Sequence, residues 1–130
     1  MTESYRESHQ AKGVEYDDSF RTEPFRAMLW RIEQRVLERL ISDLLPKGIG
    51  NYLDFACGTG RVLRFLGQGA QSVTGVDVSE SMLEVARQKS PGAEFVFGDL
   101  TREPLLADRQ FDLITAFRFF PNAENALRRD

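Results

Sequence analysis

Residues 51–63, Asn-Tyr-Leu-Asp-Phe-Ala-Cys-Gly-Thr-Gly-Arg-Val-Leu, constrain the fold more than any other stretch of this chain. They begin as an apolar strand (Tyr52, Leu53, Phe55) interrupted by one acid, Asp54. The strand breaks at Gly58-Thr59-Gly60 and resumes as helix-compatible sequence through Arg61, Val62, Leu63, Phe65 and Leu66. A strand, a glycine turn and a helix in that order present backbone N–H groups at a helix N-terminus, where a polar or anionic ligand docks. A Cβ at the turn would hold such a ligand off the backbone or forbid the turn itself.

Apolar residues make up 42% of the 130 positions, enough for one small globular domain. A formal charge of −3 leaves no electrostatic footprint for non-specific nucleic-acid binding. Cys57 is the single cysteine, so no intrachain disulfide forms and a reducing cytoplasm is the expected compartment. The polar N-terminus has no signal-peptide core, and no apolar run approaches the ~20 residues that span a bilayer.

Residues 1–22 read as a polar arm, anchored only by Tyr5, Tyr16 and Phe20, with the lone His9 solvated among them. Residues 23–130 read as the domain. From Pro24 to Leu45 the apolar residues Phe25, Met28, Leu29, Ile32, Val36, Leu37, Leu40, Ile41, Leu44 and Leu45 recur at helical spacing. Thr22 is the expected N-cap, Pro24 suits the first turn, and Pro46 and Gly48 stop the helix. Its apolar stripe is expected to pack on the sheet, with Arg31, Glu33, Gln34, Arg35, Glu38 and Arg39 on a solvated face.

After the glycine turn a helix covers residues 62–66. The β-branched run 72–78 is a second strand ending near Asp77, and Ser79 caps a helix from Glu80 to Lys89 that Pro91-Gly92 ends. Residues 94–97 make a third strand, 101–110 a loop with about one helical turn, and 111–119 a fourth strand. Pro121 opens a last helical segment. Strands alternating with helices imply βαβ units in a parallel sheet, whose ligands gather at the carboxyl ends of the strands. Those ends carry Ala56-Cys57-Gly58, Asp77-Val78, Gly98-Asp99-Leu100 and Ala116-Phe117-Arg118, so the notable chemistry falls on one sheet edge.

An acid at Asp77 can accept two hydrogen bonds from vicinal ribose hydroxyls, and it can equally cap the helix at Ser79. The spacing of the turn separates the nucleoside options. A dinucleotide fingerprint needs a third small residue, where this chain has Leu63. The other frame, acid-x-small-x-Gly-x-Gly, holds Asp54, Ala56, Gly58 and Gly60. No Gly-Lys-Ser/Thr follows, so the turn is not a P-loop, and Cys57 has no histidine near it in sequence to activate it as a nucleophile.

Leu53-Asp54-Phe55-Ala56-Cys57-Gly58-Thr59-Gly60 resembles the first motif of the Rossmann-like S-adenosylmethionine-dependent methyltransferases. Gly75-Val76-Asp77-Val78-Ser79-Glu80-Ser81-Met82-Leu83 resembles the second, and Gly98-Asp99-Leu100 and Phe111-Asp112-Leu113-Ile114 the two that follow, in the family's order. The resemblance implies an α/β fold with a Rossmann-like parallel sheet flanked by helices, behind an N-terminal amphipathic helix. It also implies S-adenosylmethionine as cofactor. Ala56, Gly58 and Gly60, with Cys57 between them, would let the backbone approach the methionine part, and Asp54 would orient its amino group. Asp77 would hold the ribose, Val78 or Met82 would pack on the adenine, and Gly98, Asp99 and Leu100 would bound the adenine edge. Ala116 and Phe117 would line the sulfonium end, with Arg118 just beyond and Tyr16 or Phe20 as a lid. No residue stands out as a catalytic base and none as a metal ligand.

The family's sheet has seven strands, so the resemblance covers a domain truncated after the fourth strand. An apolar fourth strand left at an edge is a template for pairing, from which a homodimer through that strand is expected. Two functions follow: a methyltransferase acting on an acceptor expected to be a small molecule, or a non-catalytic half-domain that binds the cofactor alone. A nicotinamide-dependent oxidoreductase is a third reading, which Leu63 disfavours.

Overall fold

A computed structural model describes residues 23–117, which form a four-stranded parallel sheet with helices packed on one face. In chain order the elements are α1 (Pro24–Leu44), β1 (Ile49–Phe55), α2 (Arg61–Gly67), β2 (Ala70–Asp77), α3 (Glu80–Lys89), β3 (Glu94–Phe97) and β4 (Leu113–Thr115). The strand order is β3-β2-β1-β4. Two successive crossovers move outward from β1 to β3, and the chain then returns to the other side of β1. That reversal makes the carboxyl end of β1 the topological switch point, where ligands of open α/β sheets bind.

Register follows from the alternation of side chains across each strand. Tyr52 pairs with Val73 and Leu113, and Asp54 pairs with Gly75 and Thr115. The face carrying Tyr52 meets Val62, Leu63 and Leu66 of α2 and Leu83 of α3 in one core cluster. Gly75 belongs to that face for want of space: a Cβ there would stand 2.8 Å from Leu63, 2.9 Å from Cys57 and 2.9 Å from Phe95. On the opposite face Arg109 bonds Glu94 at 2.7 Å and Thr74 at 3.0 Å, tying the segment between β3 and β4 over the sheet.

Among the described residues the expected strands and helices are present, with differences in their bounds. Strand β1 begins at Ile49 and β2 at Ala70, each two residues before the expected starts at Asn51 and Ser72. Residues 101–110 hold turns and no helix. Among the described residues 111–117 of the expected strand 111–119, β4 covers Leu113–Thr115. Asp112 still ties that edge down, donating its N–H to the Asn51 carbonyl at 2.8 Å and accepting the Asn51 N–H on its carboxylate at 2.7 Å.

Helix α1 departs most from expectation. Its core-facing side holds Trp30, Leu37 and Ile41, with Leu45 just past its end. Phe25, Met28, Ile32, Val36, Leu40 and Leu44 instead lie about half exposed or more. Steps of four residues drift about 40° per turn around a helix, so the apolar positions cover too wide an arc for one contact face. Glu33, expected in solvent, is turned inward to Arg61 at 3.7 Å. The helix starts from Glu23 without a side-chain cap, with Pro24 in its first turn as expected. Thr22 lies outside the described residues, as do His9, Tyr16, Phe20, Arg118 and the segment after Pro121.

Candidate functional site

The carboxyl ends of β1, β2 and β3 are stitched together by backbone. Cys57 N–H donates to the Val76 carbonyl and Gly98 N–H to the Asp77 carbonyl, each at 3.0 Å. Above these bonds lie two cavities that share Ala56. One, of about 230 Å3, is lined mainly by Phe55, Ala56, Asp77, Val78, Asp99 and Leu100, with Val76, Gly98 and Thr101 completing the wall. The other, of about 70 Å3, is bounded by Asp54, Ala56, Cys57, Gly58, Thr59, Arg61, Val62 and Phe117.

Ala56 separates the two cavities in a backbone conformation that few non-glycine residues adopt, with φ +56°. Gly58 follows at φ +57° with nothing within 4 Å of where its Cβ would be, so a side chain there would project into open space. Gly60 acts differently. It is the left-handed N-cap of α2, and its own Cβ would meet Ala86 of α3 at 3.4 Å. Its smallness serves helix–helix packing.

Asp77 is fixed by two backbone donors, Gly58 N–H on Oδ2 at 2.8 Å and Ser79 N–H on Oδ1 at 2.8 Å. The second bond leads into α3, whose cap is the Ser79 hydroxyl accepting Met82 N–H at 3.4 Å. The acid therefore has a structural role as well as a position on the cavity wall. Each carboxylate oxygen keeps a further lone pair for a ligand hydroxyl. Asp99 faces solvent and accepts both the N–H and the hydroxyl of Thr101. Those bonds hold its carboxyl below the usual range, with a smaller contribution from Arg102.

Asp54 is 2% exposed. Thr115 donates its hydroxyl to Asp54 Oδ1 at 2.7 Å, and the Tyr52 hydroxyl lies 2.7 Å from the same Thr115 oxygen. Burial pushes the Asp54 carboxyl up to about 7. The Thr115 hydroxyl opposes the shift, Asp77 adds to it, and Arg61 and the Leu63 backbone N–H oppose it. Arg61 in turn lies 4.2 Å above the Trp30 ring and 5.9 Å from the ring of Phe117. Burial, with Asp54 and Asp77 nearby, raises the Cys57 thiol far above its ordinary range. It packs against the core, and burial disfavours the thiolate that a nucleophile would need.

Of the residues expected to bind ligand, Asp54, Ala56, Cys57, Gly58 and Phe117 come together at the smaller cavity. Asp77, Val78, Gly98, Asp99 and Leu100 meet at the larger. Gly60, Met82 and Ala116 line neither. Thr59, Arg61 and Val62 join the smaller cavity. Arg61 follows the glycine turn in sequence, whereas the approach of Thr115 to Asp54 is visible only in the β1–β4 register. Leu63, 1% exposed, fills the position a dinucleotide turn would keep small. Among the described residues no cluster of His, Cys, Asp and Glu is arranged to hold a metal, and no helix is long and apolar enough to cross a membrane.

A family model described as a methyltransferase domain matches residues 53–129. The demethylmenaquinone methyltransferase of Thermotoga maritima is 40% identical over 104 residues, which cover 76% of this chain and 42% of the relative. A dTDP-3-amino-3,6-dideoxy-alpha-D-glucopyranose N,N-dimethyltransferase of Streptomyces fradiae is 32% identical over 88% of this chain and 38% of its own length. The chain thus spans about two fifths of the length of these relatives. Among solved structures, a complex of DhpI with SAM and HEP superposes with a TM-score of 0.70 at 27% identity, covering 98% of this chain and 58% of that one.

Proposed function

From the premise that this chain belongs to the methyltransferase-domain family, we propose that its paired cavities bind S-adenosylmethionine and that the protein transfers the methyl group to a small-molecule acceptor. The observation that carries the reading is the division of the cleft at Ala56. A carboxylate for hydroxyls and a largely apolar wall lie on one side, and a buried carboxylate lies on the other. The residues fit the group. Asp77 is suited to the ribose, and Val78 and Leu100 to the faces of a purine. Asp54 is suited to an ammonium, and Arg61 to a carboxylate. The complex of DhpI with SAM supports the same cofactor for the related cleft.

When bound, the cofactor supplies an activated methyl group on a sulfonium sulfur. The chain's own contribution is position. Asp54 and Asp77 complement the positive charge of the ligand, and Phe117 closes the end nearest Arg61. With Asp54 assigned to the ammonium and Asp77 to the ribose, no described cleft residue is assigned as base, and the acceptor is proposed to arrive nucleophilic or to lose its proton to solvent. The relatives' names, a quinone precursor and an amino sugar, support a small-molecule acceptor. A cytoplasmic setting and a domain spanning residues 23–130 belong to the same proposal, as does a homodimer through β4, whose Ile114 is 60% exposed. Sedimentation as a monomer at micromolar concentration refutes the dimer.

Calorimetric titration with S-adenosylmethionine, beside Asp77→Ala, tests the cofactor. Saturable binding weakened at least tenfold by the substitution supports it. No binding to a folded chain refutes it.

A further inference from the structure

Asp54 does more in this structure than present a charge. Its carboxylate is at the inner end of a short chain of hydroxyls, Tyr52 to Thr115 to Asp54, with both oxygen–oxygen separations 2.7 Å. The chain links β1 to β4 across the register pair Asp54–Thr115. Thr115 has one hydroxyl proton. While it donates that proton to an ionised Asp54, it must accept from Tyr52. If Asp54 carries a proton, the same two contacts can run in the opposite sense with the hydroxyl hydrogens reoriented and no heavy atom moved. The arrangement therefore suits both protonation states of one buried acid.

Resting on the cofactor reading above, we infer that docking of an ammonium-bearing ligand in the smaller cavity expels a proton from Asp54, and that Thr115 and Tyr52 are the positioning residues that set the pH of this exchange. The charged and titratable groups facing the acid come from every neighbouring element. Asp77 on β2 opposes its ionisation, Arg61 on α2 favours it, and Cys57 and Tyr52 stay neutral. Glu33 on α1 engages Arg61 at 3.7 Å and so tempers the cation that favours ionisation among the described residues. A cation arriving from solution tips that balance. The Asp54 O–H bond breaks, its electron pair stays on the carboxylate, and the proton leaves to buffer through the cleft that Asp54 lines. The raised affinity of the buried acid for its proton agrees with this.

The test is titration of the folded chain with S-adenosylhomocysteine in phosphate and in imidazole, whose protonation enthalpies differ, at pH 6, 7 and 8. The expected result is a buffer-dependent heat corresponding to about one proton released at pH 6, about half at pH 7 and almost none at pH 8. Affinity should fall about tenfold per pH unit below pH 7. 5′-Methylthioadenosine, which has the nucleoside but no ammonium, releases none. Thr115→Val moves the release profile to higher pH, the isosteric Tyr52→Phe moves it less in the same direction, and Asp54→Asn removes the buffer dependence. Saturable binding with equal heats in both buffers at pH 6 and 7 overturns the inference and leaves the cofactor reading standing. No binding at any pH overturns both.

Discussion

The Asp77 carboxylate at the end of β2 accepts the backbone N–H of Gly58 at 2.8 Å, so the acid expected to hold a ribose also holds the glycine turn. Its other oxygen accepts Ser79 N–H. Charge-assisted bonds of this kind contribute about 1.5–3 kcal/mol each when buried, less where water can replace the acceptor. Asp77→Ala is accordingly expected to destabilise the chain by about 2–3 kcal/mol in denaturant titration, besides weakening ligand. Asp77→Asn keeps one carbonyl acceptor and should lose about half as much. Equal stability of all three proteins would mean that the turn does not depend on Asp77.

Ala56 stands where a glycine would be relaxed and a branched residue strained. Its φ of +56° is tolerable for alanine at a cost of about 1 kcal/mol. Ala56→Gly should leave stability within about 1 kcal/mol of the parent, the relief of strain offset by unfolded-state entropy. Ala56→Val should cost more than that and, since both cavities share this residue, abolish binding of S-adenosylhomocysteine. A valine variant that binds normally would refute the shared wall.

Gly75 lies in the second sequence motif, two residues before Asp77, yet its constraint comes from the core. A methyl group there meets Leu63, Cys57 and Phe95 at under 3 Å. Overpacking of this kind costs about 1–3 kcal/mol. Gly75→Ala is expected to lower the melting temperature by several degrees, with any residual binding per folded molecule unchanged.

The buried Cys57 thiol, held protonated by desolvation, should resist a disulfide reagent at pH 8 in the folded chain. It should react fully in denaturant. Prompt reaction under native conditions would contradict its position between the turn and Gly75.

The sequence announces the site's acids and glycines because their roles are local. A strand end, a turn and a helix cap are each read within about ten residues, and Asp77, Gly58 and Ser79 are legible in that way. The core side of α1 is not local. Trp30 and Ile41 face the sheet and Ile32 does not, a choice made by Phe65 at 5.6 Å from Trp30 and by Arg61 beneath it. Thr115 is similarly hidden. It reaches Asp54 only because β4 returns beside β1, 61 residues later in the chain, and nothing near Thr115 in sequence marks it. Met82, which the sequence offers together with Val78 for the adenine side, shows the opposite case. Its proximity to Asp77 in sequence is real, but the turn at Ser79 starts a helix that carries it away from the cavity wall.

Asp54 sets stability against binding. Its carboxyl titrates near 7 in the folded chain and near 3.8 when unfolded. Between those values the folded state binds more protons, so unfolding free energy falls as pH rises from about 4 to about 7 and then levels off. A single group with this shift removes on the order of a few kcal/mol at neutral pH. Asp54→Asn, which cannot ionise, should remove that slope and leave the folded chain more stable than the parent at pH 8, with little difference at pH 4.5. The same variant should bind S-adenosylhomocysteine at least tenfold more weakly at pH 8, where the parent presents a carboxylate to the ammonium. Denaturant titrations at the two pH values check the first half and calorimetry the second. A variant less stable at pH 8 than the parent would mean that Thr115, Arg61 and Leu63 already hold the carboxylate ionised, and that burial does not control its charge.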